Sequence, residues 1–224
     1  KLFENVQNAY RFEWNRRIQR LDQPVDREEW FMSPPTVNAY YDPLKNQITF
    51  PAAIVQPPFF DVNADAAVNY GGIGAVIGHE IGHGFDDMGR EFDEQGRIRN
   101  WWTDETAENF EDITAELGAL YSAYCPIPDN ETDCVNGQLT MGENIGDLGG
   151  LAIAWQAYLL ALGGEEPPVV EGLTGAQRFC LSWAQSWKLA VREEEALRLL
   201  AIDPHSPPEF RCNQIARNLD VFYE

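Results

Sequence analysis

The chain has 224 residues, 44% hydrophobic and 12% aromatic, which allows a sizeable core and argues against wholesale disorder. Acidic residues number 36 against 16 basic, for a formal net charge of −20; that surface repels phosphate backbones and anionic bilayers and excludes nucleic-acid binding. The longest apolar stretch, 149–164, contains Gln156 and falls short of the ~20 residues of a bilayer span, so no transmembrane segment is expected.

The elements follow in chain order. Val6, Tyr10, Trp14, Ile18 and Leu21 recur at helical spacing and predict a first helix ending near residues 22–24. This opening is polar and reads as helix, not as a signal peptide. Asp26, with Glu29 three residues on, resembles a capping box and predicts a short helix over 27–31. Residues 37–41 and 47–50 read as two strands around a turn at 42–46, and Pro51, Pro57 and Pro58 then oppose regular structure until about residue 63.

Residues 66–85 are almost wholly apolar or small and predict a buried helix. Its glycines at 71, 72, 74, 78, 82 and 84 oppose that assignment by about 1 kcal/mol each at interior positions, which calls for close packing or function. An amphipathic helix follows, with Thr103 as cap, Asp104 and Glu105 in its first turn, and a stripe of Ala107, Phe110, Ile113, Leu117 and Leu120. Further helices are predicted over 142–162, 174–192 and 208–222. The fold class is mainly α (α+β), with a small sheet.

His79-Glu80-Ile-Gly-His83 lies in the buried helix. Imidazoles at i and i+4 face one side, about a turn apart, and can grip one divalent cation. Glu80, next to the first ligand, can accept a proton from a water on that metal. A third ligand is needed, and Glu143-Asn-Ile-Gly-Asp147 offers two carboxylates at the same spacing among apolar neighbours, where unpaired charge is expensive. One can bind metal while the other fixes an imidazole tautomer. The last of the three histidines, His205, sits in a proline-flanked loop, Asp203-Pro-His-Ser-Pro-Pro, with Arg211 on the helix beyond. An imidazole donor and a guanidinium suit a developing oxyanion and a substrate carbonyl.

In order along the chain stand Asn38-Ala-Tyr-Tyr41, the 50–60 stretch FPAAIVQPPFF, HEIGHGFDD at 79–87, ENIGDLGG at 143–150 and Pro204-His-Ser-Pro207. Together they resemble the catalytic part of a neprilysin-type (M13 family) zinc metallopeptidase, a thermolysin-like gluzincin, over nearly the whole chain. The resemblance implies a zincin catalytic domain with a small sheet whose edge strand binds substrate, and one Zn2+ per chain held by His79, His83 and Glu143. It makes Glu80 the general base that activates a zinc-bound water. Asp147 would orient a zinc-ligating histidine, most naturally His79, with Asp86 the partner of His83. His205 would stabilise the tetrahedral intermediate, and Arg211 would bind the carbonyl after the scissile bond. Asn38 and Ala39 would pair with the peptide backbone.

By the same resemblance, Ile54, Phe59, Ala75, Val76, Ser186 and Trp187 form the pocket for the residue after the cleaved bond. The smallness of Ala75 and Ser186 implies a roomy pocket that prefers hydrophobic residues. Gly146 stands where the family commonly has alanine. The expected function is zinc-dependent hydrolysis of short peptides on the amino side of hydrophobic residues. A non-catalytic peptide-binding zincin, inactive without its missing domain, is the competing reading. Against it stands the retention of Glu80, His205 and all three ligands.

In the family a large helical region precedes this part and roofs the active site, and a tail follows it. Residues 1–224 therefore read as a catalytic domain cut from a longer protein, with the N-terminal domain of that protein as a partner. The family setting and four cysteines imply an extracellular or periplasmic location, including the ectodomain of a membrane-anchored protein. The cysteines allow three complete pairings or buried free thiols, and the turn-rich segment between Cys125 and Cys134 could be stapled locally. Asn130-Glu-Thr132 matches a glycosylation acceptor.

Overall fold

The computed structural model describes residues 1–128 and 130–223. Lys1–Phe31 and Met32–Glu224 are separate compact units. The first is built on α1 (Leu2–Gln19), none of whose residues is buried. The short helix expected over 27–31 is absent. Asp26 accepts from the Glu28 backbone N–H at 2.9 Å, closing a local turn. The Glu29 carboxylate pairs with Arg16 in α1 and Arg20 at its C-terminal cap, each at 2.5 Å.

The second unit begins with a two-stranded antiparallel hairpin, β1 (Tyr40–Asp42) and β2 (Gln47–Thr49). Pairing runs from Tyr40↔Thr49 to Asp42↔Gln47. The strands are shorter than expected because Pro51 lacks an N–H and the ladder cannot continue past Phe50. Asn38 and Ala39 therefore extend beyond the ladder.

The buried glycine-rich segment is helical but interrupted. It divides into α2 (Ala66–Asn69), a π-helical turn (Tyr70–Gly74) and α3 (Ala75–Gly82). Ile73 N–H donates at 2.7 Å to the carbonyl of Phe59, outside the helix, and this external bond accompanies the widened turn. The glycines serve the packing of α3 on α5 (Met141–Ala161). A Cβ at Gly78 would stand 2.5 Å from the Gly150 carbonyl oxygen and 2.7 Å from its Cα, so the two backbones touch where side chains would normally separate them.

α4 (Asp104–Ser122) starts on Thr103, whose hydroxyl accepts from Thr106 N–H at 3.1 Å. α6 (Gly175–Ser186) carries a complete Thr174/Gln177 capping box. It stops short of the expected residue 192 because 188–192 are exposed and bury no face that would hold another turn. α7 (Glu193–Ile202) was not anticipated, although three glutamates in its first turn suit a helix N-terminus. α8 (Pro208–Arg217) ends early: the Asn218 side chain donates to Gln214 O at 2.7 Å, and a 3-10 turn (Asp220–Tyr223) follows. A core of Leu151, Trp155, Tyr158, Phe179, Trp183 and Ile215 joins α5, α6 and α8. A disulfide closes the Cys125–Cys134 loop, while Cys180 and Cys212 are free thiols. Among the described residues no helix is long and apolar enough to cross a membrane.

Candidate active site

One face of α3 presents Val76, His79, Glu80 and His83 to a cavity of about 730 Å3, as their spacing of three and four residues requires. α5 faces them with Glu143 and Asp147. Arg211 enters from α8 and His205 from the loop before it. Ligand atoms of His79, His83 and Glu143 all lie within 4.8 Å of one another. Glu143 Oε2 is 3.1 Å from His79 Nε2, and Oε1 is 3.8 Å from His83 Nε2.

The tautomers follow from the outer nitrogens. His79 Nδ1 lies 2.9 Å from Asp147 Oδ1, and His83 Nδ1 lies 2.7 Å from Asp86 Oδ2. A carboxylate can only accept, so each Nδ1 carries the proton and each Nε2 is left to bind a cation. Asp86 is itself held by the backbone N–H groups of Met88 and Gly89, at 2.9 and 2.6 Å. Gly146 gives the His79 ring its room, since a Cβ there would stand 2.8 Å from Nδ1.

This donor set fits a divalent zinc ion. Glu143 Oε2 is buried and has no hydrogen-bond partner, although it faces two imidazoles. Two imidazole nitrogens and one carboxylate, leaving a further position open, are the ligands such a catalytic ion takes. Without metal, burial works against charge on His79, but Asp147 and Glu143 outweigh it and raise its pKa to about 10. Burial alone would raise the Glu143 pKa; the adjacent His205 and His79 overcome it and hold Glu143 ionised well below the usual carboxylate range. Glu80 differs: burial dominates and pushes its pKa up, and its Oε2 has no partner. The pKa of Asp87, also on the cavity wall, is raised by burial too, but Glu80 is the one of the two that sits next to His79 in α3.

His205 Nε2 lies 3.1 Å from Glu143 Oε2, and its Nδ1 lies 2.7 Å from Asp203 Oδ1. Burial opposes its charge, but Glu143 and, more weakly, Asp203 raise its pKa. Arg211 donates to both oxygens of Asp147, from Nε at 2.6 Å and Nη2 at 2.7 Å. Its guanidinium lies 4.1 Å from the centre of the Trp187 ring. Asp147 therefore serves a histidine and an arginine at once.

Asn38 and Ala39 form part of the cavity wall beside the hairpin, and Ile54, Phe59 and Trp187 join Val76 there. Ala75 and Ser186 do not line it. Ala75 is fully buried in the core, and Ser186 turns its hydroxyl back toward Ser182 O at 3.5 Å. Each is one residue, about 100° of helix, away from a neighbour that does face the cavity. The space attributed to them is instead bounded by Trp183, 2% exposed and one turn before Trp187. Sequence reasoning missed Trp183 although its i, i+4 spacing to Trp187 was readable. It also gave no role to Asp203, whose Asp-Pro-His spacing is that of a side chain folding back on the loop.

Residues 38–224 match the model of peptidase family M13. Bovine endothelin-converting enzyme 1 is 43% identical over 225 residues, covering 99% of this chain and 29% of the bovine protein. Neprilysin-1 of Caenorhabditis elegans is 44% identical, covering 98% of this chain and 29% of the nematode protein. The crystal structure of Mycobacterium tuberculosis zinc metalloprotease ZMP1 in complex with an inhibitor superposes with a TM-score of 0.96 at 56% identity, covering 99% of this chain and 34% of that one. The chain thus spans about three-tenths of the length of the curated relatives it matches.

Proposed function

The chain belongs to peptidase family M13, and from that premise we propose that it is the catalytic domain of a longer zinc endopeptidase that cleaves short peptides on the amino side of hydrophobic residues. The observation that carries this reading is the convergence of His79, His83 and Glu143 ligand atoms in the cavity that Glu80, with its unpartnered Oε2, also lines. His79, His83 and Glu143 would hold the ion. A zinc ion bound there supplies Lewis acidity toward a carbonyl and toward water.

The chain's own residues account for the other parts of the reaction. Asn38 and Ala39, beyond the end of the hairpin ladder, would offer their backbone groups to a substrate strand. Val76, Phe59 and Trp187 receive an apolar side chain. Asp147 takes two of the five guanidinium N–H donors of Arg211 and leaves others for the carbonyl after the scissile bond. Glu80 takes a proton from the attacking water and returns it to the departing amine. His205 in its doubly protonated form, with Nδ1–H held by Asp203, would direct an Nε2–H at the developing oxyanion.

The Cys125–Cys134 disulfide supports a location outside the reducing cytoplasm. The rest of the longer protein would be the partner of this domain. Metal analysis before and after chelation, run alongside peptide cleavage, tests the proposal. Glu80→Gln should keep zinc and lose hydrolysis, and hydrolysis should return to chelated wild type on adding zinc. Unchanged turnover in Glu80→Gln rejects the mechanism.

A further inference from the structure

Two consecutive residue pairs, 62 positions apart in each case, meet at the cavity. Glu143 approaches His205, with 3.1 Å between Oε2 and Nε2. The next residues along, Asn144 and Ser206, form a hydrogen bond in which the Ser206 hydroxyl donates to Asn144 Oδ1 at 2.7 Å. Asn144 and Ser206 are 1% and 2% exposed, so this bond has no competition from solvent.

The bond continues into a series of donors running back from α5 to the residues before it. Asn144 Nδ2 donates to Thr140 Oγ1 at 3.0 Å, and Thr140 Oγ1 donates to Asn136 O at 3.1 Å. Thr140 is buried as well. With Nδ2 turned to Thr140, the Asn144 amide directs its Oδ1 at Ser206. A buried chain of hydrogen bonds linked head to tail favours one arrangement of its members.

The loop around His205 is anchored on its C-terminal side by α8, where the Phe210 and Arg211 N–H groups donate to Pro207 O at 2.8 and 3.1 Å, and is held more loosely on the other side. The ring is 40% exposed. The helix leading into the loop, α7, buries no residue. Asp203 fixes the ring within the loop, through His205 N–H at 2.9 Å and Nδ1 at 2.7 Å, but it moves with the loop. Ser206 ties that loop to the turn of α5 that carries Glu143.

We infer that Ser206 and Asn144 are positioning residues of the peptidase reaction, latching the loop of His205 onto the turn of α5 that carries Glu143. Neither touches the reacting atoms. Their bond sets the distance between His205 and the metal ligand, and so the distance from His205 to the carbonyl being attacked. A displacement of about 1 Å at such a group is enough to slow turnover about 100-fold.

The inference rests on the peptide-hydrolysis reading, so the test has one arm that uses activity and one that does not. In the zinc-loaded protein, Ser206→Ala should lower kcat about 10- to 100-fold and leave KM within about threefold. Zinc should stay at one per chain, and Ser206→Thr, which keeps the hydroxyl, should recover most of the lost kcat. Amide hydrogen exchange in the 203–207 loop should quicken in Ser206→Ala and not elsewhere. If wild type cleaves no peptide, the hydrolysis reading fails while the exchange arm still decides the latch. Unchanged exchange in the loop, wild-type kcat in Ser206→Ala, or a loss matched by lost zinc or faster exchange throughout the chain would each overturn the inference.

Discussion

His79 meets Asp147 through a 2.9 Å contact between Nδ1 and Oδ1, and Arg211 closes on the same carboxylate with two bonds of its own. One buried acid on α5 therefore fixes the tautomer of His79 on α3, a candidate metal ligand, and the fork of Arg211 on α8, on the wall of the same cavity. Asp147→Asn keeps the shape but removes the charge both partners need. Zinc affinity should fall about 10- to 100-fold, and peptide turnover further, because Arg211 loses its counter-charge as well. Competition with a chromophoric chelator measures the first effect. An affinity equal to wild type would show that Asp147 does not tune the ligand.

The contact between α3 and α5 makes a paired prediction about stability. Gly78→Ala places a Cβ 2.5 Å from the Gly150 carbonyl oxygen, and backbone cannot yield as a flexible side chain would. Overpacking of this kind should destabilise by about 2–3 kcal/mol. Gly149→Ala has nothing within 4 Å of the new methyl and should be neutral or stabilising by up to about 1 kcal/mol through helix propensity. Thermal melts of the two variants side by side decide it. Equal melting temperatures would refute the close crossing.

The free thiols give a pH dependence with a definite sign. Burial first, and the neighbouring Cys212 second, push the Cys180 thiol up from 9.0 to about 11. Its thiolate fraction at pH 8 is then about 100-fold below that of an ordinary cysteine, so iodoacetamide should label Cys180 slowly in the native protein and quickly after denaturation. The folded state holds this proton more tightly than the unfolded one. Its contribution to stability is therefore complete below about pH 9 and is lost as pH rises toward 11. Rapid native labelling at pH 8, read by mass spectrometry, counts against the partly buried placement.

Trp183 bounds the cavity where small residues were expected to open it. Peptides with Leu or Phe after the cleaved bond should be preferred to those with Gly. Trp183→Leu should raise the Phe-to-Leu ratio of kcat/KM about tenfold, within the range that pocket size alone can deliver. A ratio unmoved by the substitution would mean that Trp183 serves the core only.

Local spacing made much of this molecule readable from sequence. His79 and His83, or Glu143 and Asp147, must share a helix face because four residues make about one turn, and nothing distant can undo that. Thr103 and the Thr174/Gln177 pair mark helix starts through bonds that span three residues. Relations between distant parts were hidden. Glu29 pairs with Arg16 and Arg20, nine and more positions back along the chain. The 66–85 helix widened into a π turn beside the carbonyl of Phe59. Whether Ala75 or Val76 faced the cavity depended on where α5 lay, and whether Ser186 or Trp187 did depended on α8.

The sequence by itself thus determined which side chains could act together within a turn: a histidine pair, a carboxylate pair, and a histidine caged by prolines. Tertiary structure alone decided that these three groups converge on one point. It also decided that Asn144 finds Ser206 across 62 residues and that Cys125 pairs with Cys134. The physical reason is range. Helix periodicity and capping act over one turn, whereas convergence is set by how α3 and α5 pack, and that packing depends on glycines whose missing side chains the sequence records without naming what fills the space.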